Sequence, residues 1–168
     1  MYQYSFCNTD LIVDTGDYPA IGNNPRNFKI QGFGAGEGLI NIQRRSPIAT
    51  TMFGAYGDMV VSMLRIKGGD VAFPVLMNAP ENKYLQDWAN WFQAAADSDD
   101  GQLVQPIQMK FRDNMGKDEA LCTNGVILAM PGVVRGQTMN LVTWVISFEK
   151  IEFDRNTGAD LESLGVTA

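Results

Sequence analysis

The chain has 168 residues, of which 45% are apolar, 19% are charged and 17 are glycine, with 13 basic against 19 acidic side chains and a formal charge of −6. This composition fits one folded domain with its own core, and the negative balance disfavours binding to phosphate backbones or anionic lipid surfaces. Histidine is absent, which removes the commonest general base, the commonest metal ligand and the usual activator of a serine or cysteine nucleophile.

Cys7 and Cys122 are far apart and are the only thiols. They are expected to be reduced and buried, since two distant cysteines make neither a disulfide scaffold nor a zinc site. The start, Met1-Tyr2-Gln3-Tyr4, has no basic region leading into an apolar stretch, and the longest apolar run, Val126 to Met130, is far shorter than the roughly 18 residues of a membrane span. Neither a signal peptide nor membrane insertion is expected, and no cofactor site stands out.

In chain order, Asp10, Asp14 and Asp17 fall in or near a turn-like segment and lack a convincing carboxylate partner, so they are expected to be solvated loop acids. Asn27 to Phe33 alternates around Phe28 and Ile30 in the manner of a strand. Gly32-Phe33-Gly34-Ala35-Gly36-Glu37-Gly38 matches neither dinucleotide nor phosphate-loop spacing and is followed by a strand pattern, which points to a bend or bulge. That strand, Gly38 to Arg45, sets Ile40 and Ile42 against Asn41, Gln43 and Arg45.

Residues 44–57 form a long, irregular connection carrying the apolar side chains Ile48, Met52, Phe53 and Tyr56. Residues 58–67 then place Val60, Leu64 and Ile66 on one side and Met59, Val61 and Met63 on the other, the pattern of a central strand covered on both faces along part of its length. Lys67-Gly68-Gly69-Asp70 is expected to close a hairpin after it.

Residues 80–96 change period. Pro80 suits a first helical turn, Glu81 favours the positive end of the helix dipole, and Tyr84, Leu85, Trp88, Trp91 and Phe92 recur at helical spacing. These aromatics lack interleaved cations, so they are expected to pack on the sheet and not to stack nucleic-acid bases. Asp97-Ser98-Asp99-Asp100-Gly101 brings its glycine one place too early for a calcium loop and puts Gln108 where the closing glutamate belongs. A solvated loop ending the helix is expected there.

Residues 103–112 alternate clearly, with Leu103, Ile107, Met109 and Phe111 opposite Gln108, Lys110 and Arg112, and Asp113 to Lys117 supplies a hairpin turn. The run Met139 to Phe153 is the longest strand, with Val142, Trp144, Ile146 and Phe148 on one face and Leu141, Val145 and Ile151 on the other. Residues 155–168 are expected to form a flexible tail. The periodicities thus predict a mainly β chain, 1–168 in a single domain, with one packed helix.

Gly34-Ala35-Gly36-Glu37-Gly38 opens the strand with Ile40 and Ile42, and Ala55-Tyr56-Gly57-Asp58 precedes Met59 to Lys67. A helix, the strand at 103–112, Cys122-Thr123-Asn124-Gly125 with Pro131 after it, and a closing strand containing Trp144 complete the order. This succession resembles the tail tube proteins of contractile-tailed bacteriophages, related to the tubes of contractile bacteriocins and type VI secretion.

The resemblance implies a β-sandwich or partly closed β-barrel with one flanking helix, assembling into hexameric rings. In such tubes the rings stack inside a sheath, with baseplate and tail terminator proteins as further partners, and double-stranded DNA passes through the lumen of the virion tail. It also implies that Ile48, Met52, Phe53 and Tyr56 form an inter-subunit contact. Two other function classes compete: a ligand- or carbohydrate-binding β-sandwich using exposed aromatics, and a carboxylate-dependent hydrolase, which the missing histidine disfavours.

Overall fold

A computed structural model describes residues 9–15, 24–31, 40–97, 106–114, 118–133, 136 and 140–154. Cys7, Asp17, the glycine-rich stretch 32–38, residues 98–101, Leu103, the turn at 115–117 and the tail 155–168 lie outside the described residues. In order, the elements are β1 (Thr9–Asp14), β2 (Asn27–Lys29), β3 (Asn41–Arg44), β4 (Ala49–Phe53), β5 (Met59–Met63) and β6 (Gly69–Leu76). Helix α1 (Pro80–Asp97) follows, then β7 (Ile107–Asp113), β8 (Glu119–Ala129) and β9 (Leu141–Asp154).

Seven strands form one antiparallel sheet in the order β2-β1-β7-β8-β9-β6-β3, and among the described residues the sheet does not close, with β2 and β3 as its two edges. β4 and β5 pair only with each other in a separate two-stranded sheet. The fold is mainly β with a single helix among the described residues.

Alternation explains how the sheet makes its core. Leu11 and Val13 of β1, Ile107 and Met109 of β7, and Val71, Phe73 and Val75 of β6 all turn to the buried face. Gln108, Lys110 and Arg112 turn to solvent as their period of two requires. Leu85 and Trp88 of α1 are buried in the same cluster, with Tyr84 and Trp91 packed at its margin. Phe92 is half-buried and tilts against Trp88 at 6.0 Å between ring centres, while Tyr84 meets Phe28 edge-on at 5.3 Å.

Polar contacts fix the helix on the sheet. The Trp144 indole N–H donates to Asn82 Oδ1 at 2.8 Å, tying mid-β9 to the first helical turn. The Gln31 backbone N–H donates to the buried Glu81 carboxylate at 3.1 Å, and Asn24 donates to Asp87 at 2.8 Å, so the chain on either side of β2 is pinned to the same helix.

The two longest strands reverse their facing midway. In β8, Ala120 and Cys122 are buried, then Gly125 and Ile127; in β9, Val142, Trp144, Ile146 and Phe148 are buried, then Ile151. Asn124 sits at the break with φ of 56° and donates to Glu149 across the strand pair at 2.6 Å. A left-handed residue inside a strand interrupts the two-residue period, and asparagine tolerates that conformation. Ile151, expected on the face of Leu141 and Val145, is therefore fully buried with the opposite set.

Phe148 occupies the same region with glycine as its partner on both sides, Gly125 of β8 and Gly69 of β6. A Cβ on Gly125 would collide with the Phe148 ring, and one on Gly69 would collide with the Gln43 carbonyl oxygen and lie 2.8 Å from Arg44 Cα. The two glycines make room for the ring and for the close approach of β3.

Other sequence expectations change as well. Residues 58–67 are not a central strand, since β5 is exposed throughout. Residues 44–57 are not wholly irregular, since they contain β4. Lys67 to Asp70 closes no hairpin, because β5 pairs with β4 whereas β6 pairs with β3 and β9. The glycines there instead carry the chain from the separate strand pair back into the main sheet. The Asp113 turn does join paired strands, β7 and β8, with the Asp113 N–H donating to the Asp118 carbonyl at 2.8 Å.

Candidate assembly surface

The pair β4–β5 forms a hairpin arm whose strands match Ala49 with Met63, Thr51 with Val61 and Phe53 with Met59. The intervening residues Gly54 to Asp58 close it: the Gly54 N–H donates to the Asp58 carbonyl at 2.8 Å, and Gly57 adopts φ of 88°, a value glycine accepts without strain. Tyr56 stands at the tip and is 97% exposed.

The root of the arm is firmly tied to the body. Arg45 makes a two-pronged contact with the Asp70 carboxylate at 2.9 and 2.7 Å, and Arg44 donates twice to the Ile151 carbonyl at 3.2 and 2.8 Å while its guanidinium lies 5.6 Å from the Phe153 ring centre. The hydrogen bond to Arg45 holds the Asp70 carboxyl below its ordinary value and raises the guanidinium in turn. The Ile151 N–H also donates to the Lys67 carbonyl at 2.9 Å.

Ile48, Met52, Phe53 and Tyr56 are thus brought onto one projecting arm, and all four are exposed, Met52 by 74% and Phe53 by 71%. Sequence reasoning missed their companions Met59, Val60, Val61 and Met63, which are exposed on the second strand. Their signal was visible as a strand apolar on both sides, but periodicity does not say where the covering surface comes from. A two-stranded hairpin is marginal alone in water, and a concentrated apolar patch marks a surface made for a partner.

Elsewhere the solvent side of the sheet carries ion pairs: Lys29 with Asp10, Lys110 with Glu119 at 3.6 Å and Arg112 with Glu119 at 3.2 Å. Lys29 and Asn114 hold the Asp10 carboxyl below its usual range. Asp10 therefore serves the sheet surface, within β1, and is not a loop acid as expected from sequence. Asp14 likewise belongs to β1. Burial pushes the Cys122 thiol up to about 12, which makes it a poor nucleophile. Among the described residues no group of three or more carboxylate, cysteine or histidine side chains is placed to hold a metal, and no helix is long and apolar enough to cross a membrane.

The family model described as "Bacteriophage PhiTE tail tube protein" matches residues 3–155. No curated protein matches the sequence. Among solved structures, one similar chain comes from an extracellular contractile injection system sheath–tube complex in the extended state, at 10% identity and a TM-score of 0.52 over 92% of this chain and 93% of that one. A chain from the sheath/tube terminator of the same type of system gives 10% identity and 0.52 over 92% and 98%. A chain from the tube-terminating cap of the anti-feeding prophage gives 12% identity and 0.50 over 93% of each. At these identities the structural likeness establishes a shared fold. The family match covers nearly the whole chain and establishes more: this is a structural tail tube protein and not an enzyme, a member of the bacteriophage PhiTE tail tube family.

Proposed function

We propose that this chain self-assembles into hexameric rings that stack into the hollow tube of a contractile tail. The observation that carries the proposal is the projecting arm, whose two strands expose apolar side chains that the described residues of the chain leave uncovered. A sheet that stays open at β2 and β3 adds edges through which neighbouring subunits can continue the ladder. The family match and the shared fold with tube and terminator chains support the same reading.

On this reading the tube lies inside a contractile sheath, meets a baseplate at one end and a terminator at the other, and is assembled in the host cytoplasm as part of the virion. Double-stranded DNA passes through without specific binding. The charge of −6 opposes adhesion to phosphates, and the cations Lys29, Lys110 and Arg112 on the solvent side of the sheet already face carboxylates of their own chain. The helix aromatics make no carbohydrate platform, since Trp88 is buried and Tyr84 and Trp91 pack on the core.

Negative-stain microscopy of the purified chain tests the proposal. Rings or tubes with a central channel are expected, whereas a monomer that forms neither at any concentration or ionic strength contradicts it.

A further inference from the structure

Where the chain returns from β5 to the body, cations from two separate segments surround one cavity. Arg65 and Lys67 come from the residues between β5 and β6, and Thr123, Asn124, Glu149 and Lys150 from the β8–β9 pair; together they line a space of about 300 Å³ open to solvent. The Ile151 N–H donates to the Lys67 carbonyl at 2.9 Å, so the backbone holds the two sides close. Their cations carry the same charge and repel across the gap.

The nearby carboxylates are already engaged. Glu149 accepts from the Asn124 amide at 2.6 Å, and Glu152 pairs with Lys150 at 2.6 Å. Lys150 holds the Glu152 carboxyl below its usual range, and Lys67 and Arg44 add to the effect. Arg65 and Lys67 have no ion pair among the described residues. Two unmatched positive charges at one cavity are a local exception in a chain whose total is −6.

We infer that this cavity is a binding site for a phosphate-class oxyanion. The two unmatched cations balance the charge of about −1.5 to −2 that a phosphate group carries near pH 7, whereas a single carboxylate or chloride would balance only one of them. A guanidinium, two ammonium groups and the Thr123 hydroxyl supply donors of the kind that phosphate oxygens accept. No aromatic ring lines the cavity to stack a base, so inorganic phosphate fits it better than a nucleotide. The bound anion joins the segment after the arm to the sheet and removes the repulsion between them. Glu149, the one carboxylate in the lining, opposes it. The cavity is built within one chain, so the site is independent of the tube proposed above.

Calorimetric titration of inorganic phosphate into the intact chain, at about pH 7.5 and about 0.15 M ionic strength, tests the site. One saturable site per chain is expected, with a Kd of about 1 mM or below, as two charge-assisted contacts supply. Arg65→Gln and Lys67→Gln should each weaken binding by about tenfold, and Glu149→Gln should tighten it by about threefold. Lys29→Gln is the control for general charge, since Lys29 pairs with Asp10 elsewhere on the sheet, and it should leave the affinity unchanged. Equal unfolding midpoints of these variants and the parent without phosphate keep misfolding out of the comparison. The inference is overturned by the absence of saturable binding, by an equal loss from Lys29→Gln, or by no loss from Arg65→Gln and Lys67→Gln. Acetate binding as tightly as phosphate would mark a site for single carboxylates, and duplex DNA displacing phosphate would mark a nucleic-acid surface; either result also overturns it.

Discussion

β6 and the hairpin arm are built from the same kinds of residue and meet opposite fates. Val71, Phe73 and Val75 of β6 are fully buried, whereas Met52, Phe53 and Val60 of the arm are exposed. Local hydrophobicity does not separate them. What differs is pairing: β6 lies between β9 and β3 in a sheet that shares its core with α1, and β4 and β5 have only each other. The body builds its core within one chain, whereas no described residue of the chain covers the arm.

That contrast is exposed to test through the stability of the isolated subunit, where body substitutions are expected to be costly and arm substitutions nearly silent. Trp144→Ala is expected to have the largest effect, a loss of about 3–5 kcal/mol in denaturant unfolding. The side chain is 2% exposed and its N–H is bonded to Asn82, so both core volume and a helix anchor are removed. A loss below about 1 kcal/mol, as for a surface site, would break the contrast.

Gly69→Ala comes next, at about 1–3 kcal/mol, because the added methyl meets the backbone of Gln43 and Arg44, which yields less readily than the Ile151 side chain it also meets. Asp70→Asn is smaller, below about 1 kcal/mol, since its pair with Arg45 is exposed. Its sign is fixed by the lowered carboxyl. The stabilisation is present above the ordinary value of 3.8 and is lost as pH falls through the lower folded value, so the variant should differ from the parent at neutral pH and converge with it in acid. A constant difference down to pH 2 would show that the ion pair is not its source.

Much of the body was legible in the sequence. The helix, β7 and the first half of β9 announce themselves by long, regular periods. β6 was not singled out, because Pro74 interrupts its apolar run, and a proline normally argues against a paired strand. Its tolerance there follows from the sheet edge, since β3 pairs with β6 only as far as Ala72. Ile151 was assigned to the wrong face because a single left-handed residue, Asn124 on the neighbouring strand, marks where the alternation resets. The candidate assembly residues were half legible. Ile48, Met52, Phe53 and Tyr56 stood out as apolar residues in a supposed loop, but Met59 to Met63 read as core, because periodicity does not show whether the chain itself supplies a covering surface.

The smallest expected effect on the subunit accompanies the largest on assembly. Phe53→Ser combined with Tyr56→Ser changes residues that are 71% and 97% exposed, so the unfolding free energy should stay within about 0.5 kcal/mol of the parent. The most direct measurement is therefore negative-stain microscopy of this double variant beside the unsubstituted chain, with both unfolding curves recorded. A subunit of unchanged stability that no longer forms tubes is the predicted result; normal tubes from the double variant contradict the arm as the assembly surface.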